Sequence, residues 1–447
     1  MNMTQESAIP LYEEVVNGFN KLSADIPGRE SSDLRRVRQS AFEKFRQLGF
    51  PTIRNEDWKY TNLTRFLKDE YVLAADGAGV DAADTKGAVD AATIASLDCY
   101  QVVLVNGSWN GDIKGGPLPK GIQLLTVAAA RQDPALSAYF EKADWNNHHF
   151  ATLNTALFTD GLFIRVDAGA TVDKPLQVVH VLTAGDNLFV QPRHVWVINR
   201  NAELSVIETV VSGKGPAKVW INSLSEIIVQ TDARLDHTVI QSAGTGVRLI
   251  QHTTVRQKKQ SLYNNYTFTL PGADLVRNDL QARLEESHTE THLYGLYLAA
   301  GQQLVDNHTL VDHQKPSCFS NELYKGVLLE QSTGVFNGKV YVHRDAQKTN
   351  AFQQNNNLVI SKKATIDSKP ELEIFADDVK CSHGSTVGQF SEDALFYLRA
   401  RGIGEETAKA LLIAAFAFDV TEKIKFPAVE HYINELISRH IPEANMG

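Results

Sequence analysis

Residues 224–270 read LSEIIVQTDARLDHTVIQSAGTGVRLIQHTTVRQKKQSLYNNYTFTL. Within this stretch LSEIIVQ, RLDHTVIQ, VRLIQHTTV and NNYTFTL alternate apolar or β-branched side chains with polar ones. A period of two places one set of side chains on each face of a strand, and branching at Cβ suits that geometry. The same texture fills LFIRV, LQVVHVL, HVWVIN and ELSVIETVV upstream. Small residues open similar phrases at Ala170, Ala202, Ala233, Ala273, Gly301, Gly334 and Ala364, roughly 30 residues apart, which is a repeat-architecture spacing. These features predict a mainly β chain built as a stacked coil. In a parallel β-helix each turn buries its inward face against the next and leaves free edges only at the ends. An antiparallel sandwich is the competing arrangement of the same strands.

Outward from this core the period changes to a helical one. Apolar residues recur at helical spacing from Leu11 to Leu22, and Ser31-Ser32 caps a second helix that runs through Leu34, Val37, Ala41, Phe42, Phe45 and Leu48 to Gly49 and Pro51. Between Ala74 and Ala92 the Ala, Gly and Asp content predicts a weakly ordered excursion or linker. Beyond the strands, Ser391 with Glu392 and Asp393 caps one short helix, and EETAKALLIAAFAFDV supplies a second after Gly402 and Gly404. Leu411, Leu412, Ala415, Phe416 and Phe418 cover most of that second helix, so it is either a core helix or one docked to another chain. The predicted organisation is a helical and mixed region over 1–155, a strand core over 156–388 and a helical region over 389–447.

Composition narrows the function. The chain has 447 residues, 53 acidic against 44 basic, and a net charge of -9, which argues against nucleic acid as the main partner. Its longest apolar run, residues 410–418, is under half of the roughly 20 residues a membrane helix needs. The opening MNMTQESAIPLYEEVV lacks the basic start and apolar run of a secretory signal, so a cytoplasmic setting with reduced cysteines is expected. Phosphate-cradling GxxxxGK[ST] and GxGxxG motifs and the GxSxG nucleophile elbow do not occur, so an ATP-driven step would belong to a partner.

Three cysteines are present, Cys99, Cys318 and Cys381. Cys381 stands in DDVKCSHGST with His383 two residues on, and a strand places such a pair on one face about 6.6 Å apart. Thiolate and imidazole both ligate iron and zinc. An all-thiolate cluster needs about four sulfurs, and no Cys-x-x-Cys pair is available, so any cluster touched here draws ligands from elsewhere. Cys99 is expected in a small apolar site, and Cys318, following Pro316, in an exposed loop. His288 and His292, in HTETH, lack the zincin order, and His308 and His313 fall on opposite faces of a strand; both pairs read as structural.

The phrases DNHTLVDHQKPSCFSNELYKG, GVFNGKVYV, AQKTNAFQQNNNLVIS, DSKPELEIFADDVKCSHGSTVG and FYLRARGI, in fixed order from about residue 305 to 403, resemble the SufB/SufD family of the SUF iron-sulfur assembly machinery, and NEDWKYTNL at 55–63 adds to the likeness. The KCSHG form and the small cysteine count are similar to its SufD branch. The resemblance implies a right-handed parallel β-helix between helical ends, paired with SufB in a pseudo-symmetric heterodimer, with the SufC ATPase docked on the C-terminal helices through Phe396, Leu411, Leu412, Phe416 and Phe418. A homodimer of the isolated chain stays open as an alternative. The resemblance further implies a transient iron-sulfur cluster formed at the SufB-SufD interface, with His383 as a ligand, Cys381 as a second candidate ligand or lining thiol, and no cluster held stably by this chain alone. The chain is then a non-catalytic scaffold subunit. Two competing classes are a β-helix carbohydrate enzyme, which would need an acid and base carboxylate pair not assignable here, and a free-standing metal binder.

Overall fold

The computed structural model describes residues 9–25, 30–74, 82–141, 148–183, 186–214 and 218–441. Consecutive strands from Leu162–Val166 onward go mostly to alternate sheets, as the alternation of one apolar face per strand allows. The first sheet runs, in spatial order, from Thr365–Ile374 through Thr333–Val342, Leu304–His313, Leu275–Leu284, Val247–Gln257, Val219–Val229 and Arg193–Ile198 to Leu162–Val166. The second runs from Val379–Gly388 through Thr349–Val359, Phe319–Leu328, Glu290–Ala299, Leu262–Thr269, Arg234–Gln241 and Glu203–Ser212 to Leu176–Leu182. Neighbours are parallel and in register, for example Phe319 with Asn350 and His308 with Asn337. The result is a β-solenoid of about eight turns, which excludes the antiparallel sandwich although two sheets do face each other. Strands from before residue 156 also join: Ile122–Thr126 adds to the first sheet and Tyr100–Val105 to the second.

The small-residue period has a cause. At one corner of each turn a residue sits in the left-handed region (Gly169, Asn201, Asp232, Gln260, His288, Ser317, Lys348), which reverses the chain sharply before the next strand of the second sheet. The residue that follows, in order Ala170, Ala202, Ala233, Ser261, Thr289, Cys318 and Thr349, is small, and from Ala202 on it is buried in the corner. Ala273, Gly301 and Ala364 precede strands of the first sheet, at the other corner, while Gly334 lies within a strand. The sequence series therefore mixes two corners, which explains its uneven spacing.

Between the sheets lies one apolar core that includes Leu176, Trp196, Val206, Ile227, Leu235, Val255, Leu293 and Phe336. The outer face of the first sheet is covered by the helices Pro10–Asp25 and Ser32–Leu48 with the segment after them: Leu11, Phe42, Phe45 and Trp58 pack with Trp220, Ile250 and Leu275. Ser31 caps its helix by accepting from the Leu34 N–H at 3.1 Å. The outer face of the second sheet is covered by the tail, where Ile413, Ala417, Val420, Val429 and Ile433 meet Ile240, Phe268 and Leu296.

Two expectations are corrected. Residues 82–92 form a helix, Ala82–Ala92, whose Ala88, Val89 and Ala92 pack on Val179, Val181 and Val211. Small side chains there permit close approach to the sheet, so composition alone misread them as a linker; residues 75–81 of the same stretch lie outside the described residues. The tail holds a third helix, Pro427–His440, after Glu392–Ala400 and Glu405–Thr421.

Candidate functional site

Thr365–Ile374 and Val379–Gly388 form the last turn, and each pairs on one side only among the described strands. Neither strand contains a buried residue, and among the described residues no further strand stacks on this turn. Cys381 is half-buried and packs on the rim of the apolar core. Ser385, four residues on and therefore on the same face, hydrogen-bonds across the interior to the Ser368 hydroxyl at 2.9 Å. His383 lies between them on that inward face and is exposed. The strand thus brings the two sequence-predicted donors together on the open end.

Burial pushes the Cys381 thiol up from its ordinary value, against a weaker opposing bond from the Ala351 backbone. A thiol raised in this way ligates a metal only as the thiolate, its proton being released to solvent when the metal binds. Cys381 and His383 supply two donors. Among the described residues no three His, Cys, Asp or Glu side chains are grouped so as to hold a metal ion.

Beneath the open end the interior turns polar. Asn355 accepts from Ser368 at 2.8 Å and from Asn357 at 2.6 Å, and Gln353 donates from Nε2 to Glu322 at 2.7 Å. Burial lifts the Glu322 carboxyl to about 7, despite bonds from Thr309 and Gln353 that favour its charge. Further back, Glu208 accepts from His180 and His237, each at 2.7 Å, in a closed buried cluster. Sequence reading missed these residues. Their signal is a partner about one coil period away (His180, Glu208 and His237; Glu322, Gln353 and His383), which shows only once the register is known.

The remaining candidates are placed elsewhere. Cys318 is buried in its corner with the thiol 3.4 Å from the Glu286 carbonyl, which overturns the exposed-loop expectation: the corner demands a small side chain. Cys99 is half-buried beside Gln177 in polar rather than apolar surroundings. His288 is an exposed corner residue and His292 pairs with Glu290 at 2.7 Å. His308 faces out, paired with Asp306 at 3.0 Å, while His313 faces in, bonded to Ser320 at 2.9 Å.

In the tail, Phe396, Leu411 and Phe418 are exposed, and Leu412 and Phe416 are half-buried. Helix Glu392–Ala400 has no buried residue at all. Lys325 leaves the sheet surface to donate to the Phe416 carbonyl at 2.9 Å and to pair with Asp419, fastening the tail to the strand that carries Glu322. The segment NEDWKYTNL grips the opposite sheet: Arg277 stacks on Trp58 at 3.9 Å, Thr61 bonds Asp306, and Lys369 of the last turn pairs with Glu56 at 2.9 Å. No helix among the described residues is long and apolar enough to cross a membrane.

Fold and open end together define a β-solenoid whose donor groups stand on an uncapped last turn between two helical covers. Residues 180–416 match the SufBD core domain of SUF-system FeS cluster assembly, and residues 11–178 match the SufBD protein N-terminal region. An iron-sulfur cluster assembly SufBD family protein of Synechocystis is 33% identical over 94% of this chain and 93% of its own length. The iron-sulfur cluster assembly protein SufD of Escherichia coli is 28% identical over 90% of this chain and 92% of its own, and SufD of Bacillus subtilis 24% identical over 98% and 100%. The chain belongs to the SufBD family, within which its likeness is to SufD, and its role lies in iron-sulfur cluster assembly.

Proposed function

We propose that the chain is a non-catalytic scaffold subunit that pairs with SufB through the open end of its solenoid, and that a nascent cluster, the cargo of the complex, forms there with His383 as a ligand from this side and Cys381 as a second. The observation that carries the reading is the placement of both donors on the inward face of a turn on which, among the described residues, no further turn stacks. An exposed imidazole beside a half-buried thiol adds little to the packing of this edge, and unpaired strand edges are ready to pair with another chain. Phe375 and Val387, exposed on the same turn, add apolar area to that edge.

The exposed face of the tail helices is assigned to the SufC ATPase, with ATP hydrolysis in that partner. Movement of the tail would reach the terminal turns through Lys325, whose strand is separated from Val379–Gly388 by the single strand Thr349–Val359 in the same sheet. The setting is cytoplasmic, and the domain division is 1–155, 156–388 and 389–447. Co-expression with SufB and SufC under anaerobic conditions, followed by iron, sulfide and subunit counts, tests the reading. A His383→Ala complex should assemble intact and carry less cluster; parental cluster content in that complex would refute the ligand role.

A further inference from the structure

The inward column that ends at His383 contains, one strand below it, Gln353, and below that Glu322, in register. In-register neighbours on parallel strands stack about 4.8 Å apart, so Gln353 occupies the inward position directly under His383. Gln353 is fully buried and its amide is oriented: Nε2 donates to Glu322 at 2.7 Å. The opposite end of that amide, Oε1, has no hydrogen-bond partner among the described residues. Across the interior, Gly338 makes room for this group, since a Cβ there would come within 2.6 Å of Nε2 and also of the Phe336 ring. The amide is therefore held from below by Glu322 in space that Gly338 leaves open, with a bare acceptor left over. An orphaned buried acceptor costs roughly 1–3 kcal/mol, and such a cost persists where the group has a task.

We infer that Glu322 and Gln353 are positioning residues for His383: the Gln353 Oε1 atom accepts one ring N–H, fixes a single neutral tautomer, and turns the lone pair of the other ring nitrogen toward the open end. A histidine that ligates metal almost always donates its second nitrogen to such an acceptor, which sets ring orientation and raises donor strength. The inference rests on the proposed ligand role of His383 for its purpose, but the contact itself needs no metal. Glu322 serves in either charge state, because a carboxyl oxygen can accept from Gln353 whether or not the other oxygen carries a proton toward Thr309.

The test is nitrogen-15 NMR of the full-length, metal-free chain with labelled histidine, where two-bond proton correlations report which ring nitrogen is protonated; the His383 signal is identified by its loss in His383→Ala. At a pH where the ring is neutral, one tautomer should dominate in the parental chain and in Glu322→Gln, which keeps an acceptor for Gln353. It should give way to a mixture in Gln353→Leu and Glu322→Leu. In the complex with SufB, Gln353→Leu should lower cluster yield about tenfold and Glu322→Gln should leave it near parental. A parental spectrum showing the freely averaging tautomers of an exposed imidazole overturns the inference with no variant required, as does an unchanged tautomer in a folded Gln353→Leu chain. Normal cluster yield in a His383→Ala complex would instead refute the ligand role while leaving a fixed tautomer standing, so the two failures are distinguishable.

Discussion

The strand Val219–Val229, in the middle of the solenoid, buries nine of its positions on both faces, whereas Val379–Gly388, at its end, buries none. Both obey the same period of two and the same parallel register. The middle strand has a turn on either side, an opposing sheet within and helices without, so its Trp220, Ile227 and Val229 are accounted for by packing. The end strand has neighbours below it alone. Its Cys381, His383 and Ser385 occupy inward positions that in earlier turns hold residues such as Leu235, His237 and Val239. Packing explains the middle, whereas at the end packing leaves His383 unexplained, and the proposed contact with another molecule accounts for it.

The contrast breaks most sharply at Arg277. Its guanidinium is buried, stacked on Trp58, bonded to the Asp57 carbonyl at 2.8 Å and to Asp279, and paired with the fully buried Asp306. Burial alone would raise the Asp306 carboxyl, and the Arg277 charge together with His308 and the Thr61 hydroxyl more than reverses this, so both groups fold ionised. Arg277→Ala strands that carboxylate and should cost about 3–5 kcal/mol in urea unfolding. A loss under about 1 kcal/mol would mean the N-terminal cover contributes little to the solenoid.

Glu322 sharpens the comparison because it is a middle-type burial beneath an end-type site. The folded chain keeps this carboxyl protonated up to about 7, while the unfolded chain ionises near the ordinary 4.5. Between those values the folded state binds the extra proton, so stability falls as pH rises, by on the order of 3 kcal/mol. Glu322→Gln removes the dependence, and its melting advantage over the parental chain should grow from about pH 4.5 to about pH 7 and then level off. Parallel pH profiles would contradict the burial argument.

At the tail the expected effect is smaller. Lys325 is buried but Asp419 is largely exposed, and solvent screening leaves the anchor worth about 1 kcal/mol. Lys325→Met should speed amide hydrogen exchange in Glu405–Thr421 several-fold while leaving the solenoid strands unchanged. Smallest of all, His383→Ala should move stability by no more than about 0.5 kcal/mol, as surface changes do. A larger shift would make that side chain a packing element.

The parts of this molecule that follow from local rules were legible in its sequence. Alternation plus a period near one coil turn made the solenoid readable, and Ser31 and Ser391 marked helix starts because a hydroxyl there can accept from an N–H that the helix leaves unpaired. The pairing of Cys381 with His383 needed only the parity of a strand. What stayed hidden depends on register. Cys318 looked exposed after Pro316, yet the corner geometry that buries it repeats through Asn201, Asp232 and Gln260, residues with nothing in common but a left-handed backbone. Helix Ala82–Ala92 was hidden by its alanines, which read as a linker until Val179 and Val211 are seen beneath them. Gln353 and Glu322 entered the candidate site only when in-register stacking set them under His383.

The central claim is that the open end is half of a site. Iron and sulfide should be counted, under anaerobic reconstitution, on the purified chain alone and again with SufB present. The account predicts little metal on the lone chain and about one cluster per complex once the second chain closes the end. A stoichiometric cluster held by this chain without any companion would contradict it.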